Sequence, residues 1–144
     1  MKVLKTLAAL ALAAAITALS AMGAEELDTA PAMTAAQAWL TRVDGGGYGD
    51  SWDESAALFR ESIPKVQWQT ALDTVRAPLG AMVTRKIRKA TYARVLPNAP
   101  EGEYVVIEFD TGFENLPRST ETVTSMREKD GSWKVAGYYI KPAP

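Results

Sequence analysis

Two carboxylates in the middle of the chain are the residues best suited by type and spacing to do chemistry. Glu108 and Asp110 are separated by one residue in a segment rich in Val and Ile. Alternate residues of a β-strand point to the same face, so the two carboxylates are predicted to lie side by side. Such a pair can act in general acid–base catalysis if its pKa values are displaced. Alternatively, it forms a solvated face opposite basic neighbours.

Aromatic and basic side chains on the neighbouring strands extend this pair into a candidate site. Tyrosines on strands can line a shallow apolar pocket, and such pockets are common ligand sites. No residue is assigned a catalytic role. The residues predicted to bind a ligand are Arg88, Tyr92, Tyr104, Glu108, Asp110 and Tyr138.

The composition excludes most familiar kinds of catalytic site. The 144 residues include no cysteine and no histidine. Ser-His-Asp triads, Cys-His dyads, thiolate or imidazole metal sites and disulfides are therefore ruled out. We expect no cofactor and no bound metal. Because the chain has no histidine, any acid–base activity must use carboxylates, lysines or tyrosines. The formal net charge of −1 gives no general attraction to nucleic acid, which is not expected as a partner.

A basic run lies ahead of the carboxylate pair. Four of the five residues in Arg85–Lys89 are Lys or Arg. The run is either a patch for an anion or acidic partner, or a set of cross-strand partners for nearby acids. We favour pairing with the acids because they are plentiful on the next strands, at Glu108, Asp110 and Glu121. Strict alternation predicts two faces, with Arg85 and Lys89 on one and Lys86 and Arg88 on the other.

The N-terminus has the three-part layout of a secretory signal peptide. Two lysines precede an uncharged run rich in Ala and Leu, and small residues follow that run. The run is too short and too rich in alanine for a good membrane span. We expect the mature protein to be periplasmic or secreted from a bacterium, with no membrane span after cleavage. The predicted parts are a signal peptide over 1–23, a flexible lead-in over 24–33 and a single domain over 34–141.

Three helices are predicted at the start of that domain. The first begins at an N-cap residue, Thr34, and ends at a run of three glycines. The second begins near Asp50 or Ser51. The third has Pro64 in its first turn and ends before Gly80.

Four strands follow, because the hydrophobic period changes from helical to alternating. The alternation of the first strand slips near Lys89, which predicts a β-bulge. Short connections make the strands antiparallel neighbours. We therefore predict an α+β domain in which three helices pack on one face of a four-stranded antiparallel meander. The predicted strands cover residues 82–96, 103–111, 118–128 and 133–140.

Short motifs along the mature chain resemble a family of exported bacterial proteins called domain of unknown function four-zero-one-nine. The resemblance covers residues 34–140, and it implies no established activity and no catalytic residues. The order of helices and strands is also similar to that of small cone-shaped α+β folds of the nuclear-transport-factor-two or cystatin type. The motifs that carry the family resemblance are Trp39-Leu40, Tyr48-x-x-Ser51-Trp52, Arg76-x-Pro78-Leu79-Gly80, Gly102-Glu103-Tyr104-Val105-Val106, Phe113-Glu114-Asn115 and Trp133-Lys134-Val135-Ala136-Gly137-Tyr138.

These observations favour a non-enzymatic exported domain over an enzyme. It would act through the outer face or an edge of its sheet, as a binding or envelope-interaction module. Its partner stays open between a second copy of the chain and an envelope protein. The alternative is a small-molecule pocket protein of the nuclear-transport-factor-two-like kind, with acid–base activity through Glu108 or Asp110.

Overall fold

A computed structural model describes residues 29–144. The predicted signal peptide and the first half of the predicted lead-in lie outside the described residues. The compact unit considered below is Pro31–Pro144. Its elements are α1 (Ala30–Asp44), α2 (Tyr48–Asp53), α3 (Ala57–Ser62), α4 (Lys65–Arg76), a 3₁₀ turn (Ala77–Leu79), β1 (Met82–Ala93), β2 (Tyr104–Phe113), β3 (Leu116–Arg127) and β4 (Trp133–Pro142).

Helix α1 begins four residues before the predicted N-cap, Thr34. The side chain of Ala32 is fully buried, and its carbonyl oxygen accepts a hydrogen bond of 2.9 Å from Ser125 Oγ. Packing against the sheet therefore extends the helix into residues that were predicted to form a flexible lead-in.

The predicted second helix is two short helices, α2 and α3. Between them, Ala56 has an extended backbone, with φ −57° and ψ 149°. Its N–H donates to the carbonyl oxygen of Val135 at 2.8 Å, so the chain leaves the helical path to pair with β4. Local helix propensity gives no sign of this break, because the partner is far away in sequence.

Helix α4 follows Pro64, which occupies its N-cap. Trp68 and Leu72 face the core, as the helical spacing predicts. Val66 and Val75 are further apolar residues of this helix, but their side chains are exposed, at 73% and 46%. The last buried position of α4 belongs instead to a charged residue, Arg76.

The four strands form one antiparallel sheet in the order β1-β2-β3-β4, which confirms the predicted α+β meander. Helical residues and one face of the sheet share a single hydrophobic core. Its largest members include Trp39, Leu40, Phe59, Trp68, Ile107 and Phe109. We call the face that contacts this core the inner face of the sheet, and the opposite one the outer face.

Two β-bulges change which side chains reach the inner face. The first lies between Ile87 and Lys89, so that Lys89 pairs with Glu108 on the outer face. Of the four bases in the run, only Arg85 pairs with an inner-face position, Thr111. The prediction that Arg85 and Lys89 share a face is therefore wrong, because the bulge reverses the alternation.

The second bulge lies in β4. Val123 pairs with Tyr138 while Ser125 pairs with Val135, so β4 carries one additional residue between these pairs. Val135 and Tyr138 therefore share the inner face, although simple alternation predicts opposite faces. Tyr139 is left on the outer face, where 57% of it is exposed.

Candidate functional site

The inner face carries a buried cluster of charged residues, contributed by the ends of two helices and by two strands. Asp44 is the last residue of α1, and Arg76 is the last residue of α4. Arg85 comes from β1 and Glu121 from β3. The side chain of Glu121 is 0% exposed and that of Arg76 is 4% exposed. The cluster contains two acids and two bases, so its formal charges balance.

Arg85 joins the two acids of this cluster. Its Nη1 and Nη2 donate to Asp44 Oδ2 and Oδ1 at 2.6 and 2.9 Å, a bidentate pair. Its Nε donates to Glu121 Oε1 at 2.8 Å. Paired guanidinium and carboxylate groups of this geometry are the strong form of hydrogen bond in proteins.

Glu121 is saturated by three donors from three strands. Besides Arg85, Thr111 Oγ1 donates to Oε1 at 2.6 Å. The phenol of Tyr138 donates a short hydrogen bond to Oε2. Both oxygens of this carboxylate are therefore engaged by donors of the protein itself.

Arg76 completes the cluster from the helical side. Its Nη2 donates to Asp44 Oδ1 at 2.8 Å, and its guanidinium carbon lies 4.8 Å from the centroid of the Phe113 ring. Nε and Nη1 of Arg76 are buried and have no hydrogen-bond partner within residues 29–144. The contact with the Phe113 ring is the kind of stacking that a weakly hydrated guanidinium tolerates.

The pKa values of Asp44 and Arg85 are displaced in directions that keep both groups ionised. Burial alone would raise the pKa of Asp44, but hydrogen bonds from Arg85 and Arg76 lower it below its usual value. Burial would lower the pKa of Arg85, and its bonds to Asp44 and Glu121 raise it instead. Burial and the Glu121 charge raise the pKa of the Tyr138 phenol, which stays protonated.

A groove of about 680 Å³ lies at the end of the sheet where β1 begins and β2 ends. Register places Thr84 beside Gly112 and Lys86 beside Asp110, so these side chains share the outer face. The residues that line the groove are Thr84, Arg85, Lys86, Arg88, Asp110, Thr111, Gly112, Pro117, Arg118, Ser119, Ala143 and Pro144. We refer to it as the outer groove.

The outer groove is basic. Lys86, Arg88 and Arg118 are exposed on it. Arg88 is paired with Glu108 at 3.0 Å and with Asp110 at 3.6 Å. Lys86 and Arg118 form no ion pair with any residue that the structure describes. These two cations remain available to an anion from outside the chain.

The structure brings together three of the six residues predicted to bind a ligand. Arg88, Glu108 and Asp110 form one ion-paired group on the outer face. This is the predicted cross-strand pairing of the basic run with acids of the next strand. Arg85 and Glu121 form the second such pair, on the inner face.

The three tyrosines predicted to join them lie elsewhere. Tyr138 is on the inner face, where its ring contacts that of Trp39 at a centroid distance of 5.2 Å. Tyr104 is 1% exposed, and its phenol donates to the carbonyl oxygen of Pro100 at 2.6 Å. Tyr92 pairs with Val105 and donates to Glu103 Oε1 at 3.0 Å. An aromatic pocket beside Arg88 is therefore absent among the described tyrosines.

Sequence reasoning named Glu121 and the run that contains Arg85 as pairing partners, but it assigned no role in the buried cluster to Asp44 or Arg76 and none in the groove to Arg118. Asp44 was interpreted as part of a helix end, and Arg76 as part of a family motif. Lys86 was noted only within the basic run, and Arg118 was not singled out. For Glu121, one signal is present in the sequence: it alternates with Val123 and Ser125, which both face the core.

Residues 29–144 contain no group of three or more Asp or Glu side chains positioned to hold a metal ion. No helix in the described part of the chain is long and apolar enough to cross a membrane.

The helices followed by a four-stranded antiparallel sheet define an α+β protein with a buried ion cluster and a basic outer groove. Residues 35–138 match the family described as "Protein of unknown function (DUF4019)", and the chain belongs to this family. No curated protein sequence matches the chain. The solved structure of ActVI-ORFA from Streptomyces coelicolor is similar, with a TM-score of 0.48 and 9% identity. The match covers 78% of this chain and 94% of that one.

Proposed function

We propose that this protein is an exported, non-enzymatic binding module that takes an anionic group in its outer groove. The observation that carries the proposal is the pair of unpartnered cations, Lys86 and Arg118, on that groove. The third exposed base of the groove, Arg88, already has acidic partners in Glu108 and Asp110. An exposed cation without a partner gains most from an incoming anion, because no internal pair has to be broken.

The acid–base alternative has less support from the geometry. Glu108 and Asp110 both form ion pairs with Arg88, so each carboxylate already has a partner within the protein. The buried carboxylate, Glu121, has its oxygens occupied by three donors. The inner face beside it is filled by Trp39 and Tyr138 rather than left open for a substrate.

Charge distribution also favours an anionic partner for the sheet. Residues 81–144 contain ten Lys and Arg against eight Asp and Glu, whereas residues 29–80 contain four against six. Two of the sheet's charges, Arg85 and Glu121, neutralise each other inside. The remaining excess of positive charge steers anions towards the sheet and away from the helices.

Anion binding is tested by titrating the ¹⁵N-labelled mature protein with inorganic phosphate, malonate and heparin. We expect amide shifts that cluster at Lys86, Gly112 and Arg118 with at least one of these probes. The double variant Lys86→Gln/Arg118→Gln should lose them. Lys129→Gln is the matched control, because Lys129 is equally exposed but lies in the β3–β4 turn. If all three probes leave the groove amides unshifted, the proposed function is wrong.

Export is part of the proposal and rests on the N-terminal sequence. The purified protein from the periplasm or medium should have an intact mass that begins between Met22 and Glu25. A full-length species retained in the membrane fraction would contradict it.

A further inference from the structure

We infer that the anionic group is a phosphate ester carried by a larger organic molecule. This inference rests on the proposed function, and it names the class of ligand. It starts from the arrangement of three hydrogen-bond donors around one glycine at the end of the sheet.

Gly112 lies in the floor of the outer groove, with Thr84 beside it on β1. A Cβ at Gly112 would lie 2.8 Å from Thr84 Oγ1 and 3.0 Å from the Pro117 carbonyl oxygen. The threonine hydroxyl therefore occupies the space above the glycine. Thr84 Oγ1 forms no hydrogen bond with any of residues 29–144.

Lys86 follows two residues further along β1, and Arg118 lines the groove from β3, across β2. Neighbouring strands are about 4.8 Å apart, so β1 and β3 are separated by about 10 Å with Gly112 between them. An anion that accepts from the Thr84 hydroxyl then lies between the ammonium of Lys86 and the guanidinium of Arg118. The three terminal oxygens of a phosphate monoester match these three donors, whereas a carboxylate offers two oxygens.

The charge of the groove agrees with this choice. Lys86, Arg88 and Arg118 carry three positive charges, and Asp110 is the single acid among the described residues that line it. A phosphate monoester carries about −1.5 to −2 at pH 7 and offsets the excess, while a sulfate ester or one carboxylate carries −1.

The size of the groove implies that the phosphate is attached to a larger organic molecule. About 680 Å³ is several times the volume of inorganic phosphate and falls in the range typical of small-molecule sites. Pro117, Ala143 and Pro144 line the remaining part of the groove with apolar surface. This surface suits the carbon skeleton of a glycerol or sugar unit.

The test compares ligands of matched size on the mature protein by ¹⁵N amide shifts and calorimetry. Glycerol 1-phosphate is the probe, and malonate and glyceric acid are the carboxylate controls. We expect glycerol 1-phosphate to bind about tenfold more tightly than either control, with shifts at Thr84, Lys86, Gly112 and Arg118. Thr84→Val and Arg118→Gln should each weaken binding about fivefold or more, and Lys129→Gln should leave it unchanged. All three sites are exposed, and circular dichroism checks that each variant is folded.

Vesicles distinguish a lipid headgroup from a soluble ester. Cosedimentation with phosphatidic acid vesicles, but not with phosphatidylglycerol vesicles, whose headgroup is a phosphodiester, would assign the phosphate to a lipid, and Arg118→Gln should abolish it. Binding of glycerol 1-phosphate without cosedimentation would assign it to a soluble molecule. Either result supports a phosphate ligand.

Two outcomes would overturn the inference. If malonate or heparin shifts the groove amides and glycerol 1-phosphate does not, the ligand is not a phosphate, while the proposed anion-binding function stands. If no anion shifts these amides, both the inference and the proposed function fail.

Discussion

Arg85 Nε donates a hydrogen bond of 2.8 Å to Glu121 Oε1. Arg85 is the one base of the run Arg85–Lys89 that points to the inner face, and its partner is a fully buried carboxylate. The other bases of Arg85–Lys89 are exposed on the outer face. One short segment of β1 therefore serves two functions. It holds the sheet to the helices through Asp44, and it supplies the positive charge of the outer groove.

Removal of Arg85 should destabilise the fold far more than removal of Arg88. Arg85→Met leaves the buried Glu121 without its cation and removes the bidentate partner of Asp44, for which we expect a loss of about 3–5 kcal/mol in the free energy of unfolding. Arg88→Met breaks exposed pairs and should cost less than about 1 kcal/mol. Urea denaturation of the two variants measures both values. Equal losses in the free energy of unfolding would show that the buried cluster stabilises the fold no more than the exposed ion pairs do.

Acid should destabilise the protein through Asp44. The pKa of Asp44 is lower in the folded protein than its ordinary value of 3.8, because its bonds to Arg85 and Arg76 outweigh the effect of burial. The stabilisation is therefore complete above that ordinary pKa and is lost as the pH falls through the folded-state value. The free energy of unfolding, measured between pH 6 and 3, should fall towards the acid end.

Asp44→Asn is the variant that isolates this contribution. It should be less stable than the wild type at pH 6 and should show a shallower acid dependence. Some dependence will remain, since the pKa values of Glu103 and Asp130 are also lowered, by Tyr92 and Ser132 respectively. If the free energy of unfolding of Asp44→Asn depends on pH as steeply as that of the wild type, the ion pairs of Asp44 are not the source of the acid dependence.

The tyrosines should ionise in two groups. The pKa values of Tyr104 and Tyr138 are raised above the ordinary value of 10.0, in both cases mainly by burial, and for Tyr138 also by the charge of Glu121. Absorbance at 295 nm should therefore show incomplete ionisation of the five tyrosines before alkaline unfolding. Tyr138→Phe should reduce the late-ionising signal by one phenol. The idea fails if all five titrate together in the folded protein.

Ser51 should be the most sensitive serine in the helical layer. Its Oγ accepts a 3.0 Å hydrogen bond from Trp68 Nε1 and donates to the Tyr48 carbonyl oxygen at 2.6 Å. Ser51→Ala leaves a buried indole N–H without a partner, which costs about 1–3 kcal/mol. Ser62→Ala is the matched control, because Ser62 also bonds a helical carbonyl, that of Leu58, but is exposed. Similar thermal midpoints for the two variants would contradict this role of Ser51.

The alternation of Val105, Ile107 and Phe109 predicted β2 and its buried face correctly, because each of these positions meets the core directly. The slip near Lys89 predicted the first bulge, and Asp130-Gly131 predicted the β3–β4 turn, where Gly131 has φ +87°. These features depend on neighbours along the chain, so the sequence contains the relevant information.

The second bulge was not predictable in the same way. Val135 and Tyr138 reach the same face because Tyr138 can then contact both Trp39 and Glu121, which belong to other elements. The split between α2 and α3 has a similar origin in the bond from Ala56 to Val135. In both places a distant partner decides the local backbone.

By itself, the sequence determined the class of protein and the limits of its chemistry. The lack of cysteine and histidine excludes whole kinds of site, and the hydrophobic periods define helices followed by an antiparallel meander. Only the tertiary structure decided which charged residues are partners and which remain available. Asp44, Arg76, Arg85 and Glu121 are far apart in sequence and meet because burial requires charges to be paired. Lys86 and Arg118 stay available for binding because they lie on the solvent side of the sheet, beyond the reach of those acids.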